Sequence, residues 1–140
     1  MTDIPQDKID AYLATDYIAR SGGGTFTMRI GTFSTDLQAI YERQGRTCCL
    51  FITAFNPFGQ EQSLAENELA HAELGRELRT LSLNVSEGEG ADPTDEWDPE
   101  MSYLAFSIEE QLSRELGIKY RQDAVVWVGQ DAVPQLLLLR

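Results

Sequence analysis

Histidine, cysteine and basic residues are all scarce in this 140-residue chain, and each shortage excludes a class of function. A single histidine, His71, cannot build a multi-histidine metal centre. The two cysteines, Cys48 and Cys49, are adjacent within an apolar stretch. Neighbouring side chains in a strand point to opposite faces, so a bond between them would need a distorted backbone. They read as two reduced, buried thiols in a reducing compartment; a redox-sensing pair would need exposure and a lowered pKa. Lys and Arg number 11 against 23 Asp and Glu, for a net charge of −12. That argues against a nucleic-acid backbone or an anionic membrane surface as partner. It fits a basic protein partner, or solubility alone. No apolar run approaches the ~20 residues of a membrane span. Met1 to Lys8 carries acids and a proline where a signal peptide has bases and then an apolar core, so the expected address is cytoplasmic. Nucleophile-elbow spacing is missing, and no Gly-Lys-Ser/Thr follows Ser21-Gly22-Gly23-Gly24, which reads as a flexible turn.

What is present describes one α+β domain. The organising segment is Thr47 to Pro57, apolar and rich in β-branched and aromatic residues, with Gly45-Arg46 before it and Asn56-Pro57-Phe58-Gly59 after it. A short apolar run between turn signals predicts a central strand buried on both faces and stopping at Asn56, because proline cannot donate to a ladder. Before it come a helix over Gln6 to Thr15, with Ile9, Tyr12 and Leu13 as its docking face, a short extended piece at Asp16 to Ala19, and an alternating strand from Thr25 to Ile30. A helix from Ser34 or Thr35 to about Gln44 follows, with Leu37, Ile40 and Tyr41 inward and Gly45 closing it. After the central strand, Ser63-Leu64-Ala65-Glu66 is a capping box opening a helix to about Arg79. Leu81, Leu83 and Val85 predict a strand ended by Glu87-Gly88-Glu89-Gly90, then a long acidic loop to Glu100. Met101 to Phe106 predicts a strand, Ser107-Ile108-Glu109-Glu110 a second capping box, and Ala124 to Val128 with Leu136 to Leu139 a hairpin. The expected fold is a single mixed sheet of five to six strands, with three to four helices mainly on one face. The helix that opens at Ser63 is expected to return its strand beside the central one.

Two places carry candidate chemistry. Strand ends commonly hold ligand groups, which singles out Asn56, with Asn67 on the following helix, Glu100 before the next strand, and Gln122. An asparagine at that position also closes turns through its own backbone. The acidic loop 87–100 has no Lys or Arg and surrounds Trp97, so Glu96, Trp97 and Asp98 form a candidate protein contact. Its acids lack the alternating spacing of a calcium loop. His71, between Glu68 and Glu73, reads as a solvated helix position. Neither a metal site nor a cofactor is expected.

Phe51-Ile52-Thr53-Ala54-Phe55-Asn56-Pro57, followed by Glu66-Asn67, resembles the bacterial family known as domain of unknown function 3293. So do Ala11-Tyr12, Tyr17, Gly88-x-Gly90, Trp97 with Glu100-x-Ser102, and Gln122-x-Ala124-Val125. Met101 and Tyr120-Arg121-Gln122 stand where the family pattern has a proline and Phe-Gly-Gln. The resemblance implies a small cytoplasmic bacterial protein and brings no activity or cofactor with it. From the residues themselves, the first expectation is a non-enzymatic interaction module whose acidic loop meets a basic protein. The second is a small-molecule binder or enzyme with Asn56, Asn67, Glu100 and Gln122 around a pocket. A thiol sensor at Cys48-Cys49 is the third.

Overall fold

The computed structural model describes residues 2–21 and 24–140. Its elements are α1 (Gln6–Ala14), β1 (Asp16–Ser21), β2 (Gly24–Met28), α2 (Thr35–Gln44), β3 (Cys49–Thr53), a 3-10 turn (Pro57–Gly59), α3 (Leu64–Leu81), β4 (Val85–Ala91), β5 (Glu100–Phe106), α4 (Glu110–Lys119), β6 (Ala124–Val128) and β7 (Pro134–Leu138). The turn expected at Gly22-Gly23 lies outside the described residues.

One sheet runs in the order β2-β1-β4-β5-β3-β6-β7, and every neighbouring pair is antiparallel. It therefore has seven strands, not five to six, and is not mixed. The helical crossover through α3 does return a strand running the same way as β3, but β5 is inserted between them, so β4 lies one place further out than expected. Two of the strands come from segments with weak strand signals. β1 grows out of the short extended piece at Asp16, and its alternation of buried Tyr17 and Ala19 with more exposed neighbours is enough once β2 and β4 flank it. β4 holds the Glu-Gly-Glu-Gly stretch expected to end a strand. Here glycine is a packing requirement, because a Cβ on Gly88 would collide with the Ile18 carbonyl oxygen and sit 3.1 Å from the Phe51 ring. Leu81 belongs to α3 instead, and Leu83 is 96% exposed.

The helices pack on both faces, against the one-sided expectation. Cys49, Phe51, Leu104, Phe106, Val126 and Val128 pack on one face with Leu37, Ile40 and Tyr41 of α2. Leu50, Ile52, Tyr103, Ala105 and Val125 pack on the other, with Leu74 and Leu78 of α3 and Leu116 of α4. Each fully buried leucine contributes about 1.5–3 kcal/mol relative to exposure. β3 is central as expected, paired with β5 and β6, but its ladder ends at Thr53, short of Asn56. Both thiols are free and buried. Burial raises the Cys48 thiol and pushes Cys49 up to about 12, which suppresses the thiolate that redox chemistry needs.

Local caps explain the helix starts. The Ser34 hydroxyl accepts from the Leu37 amide, and Gly45 at φ 65° closes α2 in the left-handed region. The Ser63/Glu66 capping box forms in full. The second predicted box does not. α4 starts behind Glu109 with no side-chain cap, because Ser107 stands at φ 62° and its hydroxyl accepts from Arg46. Among the described residues no helix is long and apolar enough to cross a membrane.

Candidate functional site

Beyond β3 the chain turns sharply. Asn56 adopts φ 45°, a left-handed conformation that asparagine tolerates better than most residues, and the Gly59 amide bonds back to its carbonyl at 2.7 Å. This aims the Asn56 side chain into a closed set of polar contacts. Its backbone N–H donates to Asn67 Oδ1 at 2.9 Å, so the Asn67 amide nitrogen faces Asn56 and donates to Oδ1 at 2.9 Å. The Gln62 backbone N–H donates to the same Oδ1 at 3.3 Å. With Oδ1 committed to donors, Asn56 Nδ2 must point the other way, and it donates to Glu100 Oε2 at 3.0 Å. Each amide orientation is fixed by a backbone donor with no alternative.

Glu100 enters from the start of β5 and is half-buried. Burial raises its pKa, partly offset by the bond from Asn56. Only Oε2 is used; Oε1 accepts no hydrogen bond from any described residue. Gln122, just before β6, donates its amide nitrogen to the Phe55 and Tyr120 carbonyls at 3.1 and 3.2 Å. Two carbonyls on that side leave its oxygen directed elsewhere.

These groups border a cavity of about 190 Å³ between α1 and the sheet. Phe51, Phe55 and Val126 supply apolar wall, Tyr12 and Lys8 come from α1, and Trp97 closes a further side. Asn56, Glu100 and Gln122 line it directly, whereas Asn67 stands behind Asn56 and fixes it. The sequence thus identifies the polar groups, but not the roof. The docking face expected of α1 does not form as such. The helix buries no residue fully, leaves Leu13 47% exposed and turns Tyr12 to the cavity. Burial, followed by the nearby Asp123 and Glu100 charges, raises the Tyr12 hydroxyl pKa. Asp123 is missed by sequence reasoning, since a lone acid before a strand carries no signal. It is fully buried, ion-paired with Lys8 and, at 2.5 Å, with Arg140 Nε. Lys8 Nζ also donates to the Phe58 carbonyl at 2.9 Å, which pins α1 over the turn.

The acidic loop is shorter than expected, because Glu87 to Ala91 belong to β4. What remains is an ordered turn. Asp92 accepts from the Thr94 amide and hydroxyl and from the Glu96 amide at 2.7–2.9 Å, and the Thr94 contacts chiefly lower its pKa. Glu96 and Asp98 are exposed, and Trp97, 38% exposed, reaches the cavity. His71 corrects the solvated-helix expectation. It is buried, stacks on Tyr103 at 4.1 Å, and neither ring nitrogen has a partner among the described residues. The available signal was its spacing from Asn67, Leu74 and Leu78 on one face of α3, masked by the flanking acids. Among the described residues no three His, Cys, Asp or Glu side chains converge to hold a metal ion.

A family model described as "Protein of unknown function (DUF3293)" matches residues 52–125, just over half of the chain. The chain belongs to the DUF3293 family. No curated protein and no solved structure matches it. The segment matched by the DUF3293 model contains Asn56, Asn67, Trp97, Glu100 and Gln122, hence the amide and carboxylate groups at the cavity edge. Lys8 and Tyr12 on the α1 side lie before it, and Leu136 on the β7 side lies after it.

Proposed function

We propose that this DUF3293 protein binds a small organic molecule in the cavity beneath α1. The supporting observation is the half-used Glu100 carboxylate, held in a partly apolar wall by amides whose own orientations are fixed. Placing an acid where burial disfavours its charge costs stability, and clefts that hold such groups are characteristic of functional sites. The Asn56–Asn67 pair makes sense as the support that keeps the carboxylate in place. A second reading keeps the turn at Glu96, Trp97 and Asp98 as a contact for a basic protein, favoured by the exposure of both acids. Trp97 also lines the cavity, which gives this loop a role without a partner and weights the first reading.

A thermal-shift screen of metabolites tests the proposal, because a ligand that binds only the folded state raises its melting point. Wild type is compared with Ala11→Trp, a change on an exposed position of α1 that also lines the cavity. Compounds that raise the wild-type melting point and leave the variant unmoved are expected. Equal shifts in both proteins would remove the cavity as the binding site.

A further inference from the structure

The charge left open inside the cavity is of one sign, and it narrows the class of ligand; this inference rests on the binding role proposed above. Two acceptors on residues that line the cavity have no donor among the described residues: Glu100 Oε1 and the Gln122 side-chain oxygen. The one cation in the described lining is Lys8, already committed to the buried Asp123 carboxylate and the Phe58 carbonyl. Four of the hydroxyls around the space are engaged internally, while the Tyr12 hydroxyl and the Trp97 indole N–H have no acceptor among the described residues and are neutral donors. Thr53 donates to the Met101 carbonyl, Ser102 to that of Glu100, Tyr17 to that of Tyr12 and Thr15 to that of Ala11. An anionic guest would meet a carboxylate with no free cation to offset it. A guest with a cationic N–H head would replace water at acceptors that no described residue fills and would offset the carboxylate charge.

Size and wall set the remainder of the molecule. A cavity of about 150 Å³ lined by apolar side chains holds benzene. The 190 Å³ here therefore suits one ring, or an equivalent chain, with a short polar head. Phe51, Phe55, Tyr17 and Val126 provide the apolar contact for that body. We infer that the ligand is a small amine or amidine with an aromatic or aliphatic body, its cationic head on Glu100 and Gln122. The net charge of −12 favours the approach of such a cation.

Benzylamine, benzyl alcohol and benzoate share one body and differ in the charge of the head. Each is titrated into ¹⁵N-labelled wild type and into Glu100→Gln, following the amide signals of cavity residues. The substituted side chain retains an oxygen to accept from Asn56, so a matching spectrum outside the cavity verifies that the variant is folded. In wild type, benzylamine should bind at least about tenfold more tightly than benzyl alcohol, the worth of one charge-assisted hydrogen bond. Benzoate should leave the cavity signals in place, and Glu100→Gln should bring benzylamine level with benzyl alcohol. Benzyl alcohol binding as well as benzylamine, or benzoate binding as tightly, would overturn the ligand class while leaving the binding role standing. Persistence of the amine preference in Glu100→Gln would overturn the assignment of the head to Glu100. If none of the three compounds moves the cavity signals, the binding role itself fails and this inference falls with it.

Discussion

Replacing Asn67 with alanine tests whether the polar knot behind the cavity is one cooperative unit. Asn67 is 5% exposed and makes three hydrogen bonds: it accepts from the Asn56 amide and from Gln62 Nε2, at 2.9 and 2.7 Å, and donates to Asn56 Oδ1 at 2.9 Å. Gln62 is half-buried and can turn to water, so its loss costs little. The Asn56 N–H loses its partner, and a buried donor left unpaired costs about 1–3 kcal/mol. Adding about 1 kcal/mol for the Asn67-to-Asn56 side-chain bond gives an expected loss of about 2–4 kcal/mol. At about 2–4 °C per kcal/mol for a chain of this size, the melting point should fall by roughly 5–15 °C. Urea unfolding followed by tryptophan fluorescence measures the same loss in free energy. The partner variant is Asn56→Gly, since glycine accepts the left-handed φ of 45° without strain. Both single changes delete the Asn67-to-Asn56 bond, so the double variant should be less destabilised than the sum by about 1 kcal/mol. A loss below about 1 kcal/mol for Asn67→Ala, or additivity within about 0.5 kcal/mol, would refute the cooperative unit.

Glu100→Gln should flatten the stability profile across mildly acidic to neutral pH. The folded-state pKa of Glu100 is raised, so its contribution is fully present below the ordinary glutamate value and is lost as pH rises through the raised one. At neutral pH the variant should match or exceed wild type in melting point; a clearly less stable variant would contradict this. His71 has the opposite sign: burial lowers its pKa, so stability present above the ordinary histidine value declines as pH falls toward the lowered one. His71→Phe should remove that decline in melting curves recorded at stepwise lower pH. Gly88→Ala should cost about 1–3 kcal/mol in chemical denaturation, because the new Cβ meets a backbone carbonyl. Gly90→Ala, with only Thr15 Cγ2 at 3.7 Å, is the tolerant comparison. Finally, a thiol reagent added to the native protein should leave Cys48 and Cys49 unmodified until denaturant is added.

Sequence signals are strongest where local chemistry and tertiary setting agree. Ser63 and Glu66 announce α3 because a capping box is complete within four residues. Gly45 announces the end of α2 because its left-handed φ excludes most alternatives. The Asn56, Asn67, Glu100 and Gln122 grouping can be anticipated from the exit of β3. The failures share a cause. β4 is a strand because β5, across a short loop, and β1, far away in sequence, both supply its partners, while its own glycines and glutamates resemble a loop. The placement of β5 between β3 and β4, which makes the sheet wholly antiparallel, depends on which edge a later segment joins. His71 looks solvated because its neighbours in sequence are acids, although its neighbours in space are rings.

The roof of the cavity has a consequence for exchange with solvent. α1 makes none of the ladder bonds that unite the seven strands and fully buries none of its side chains, so it belongs to the part of the molecule that opens at least cost. Its firmest tether is one ammonium group, that of Lys8. Variants at Lys8 would alter how often this single helix lifts, and with it how long a guest stays, while leaving the strand side of the chamber untouched.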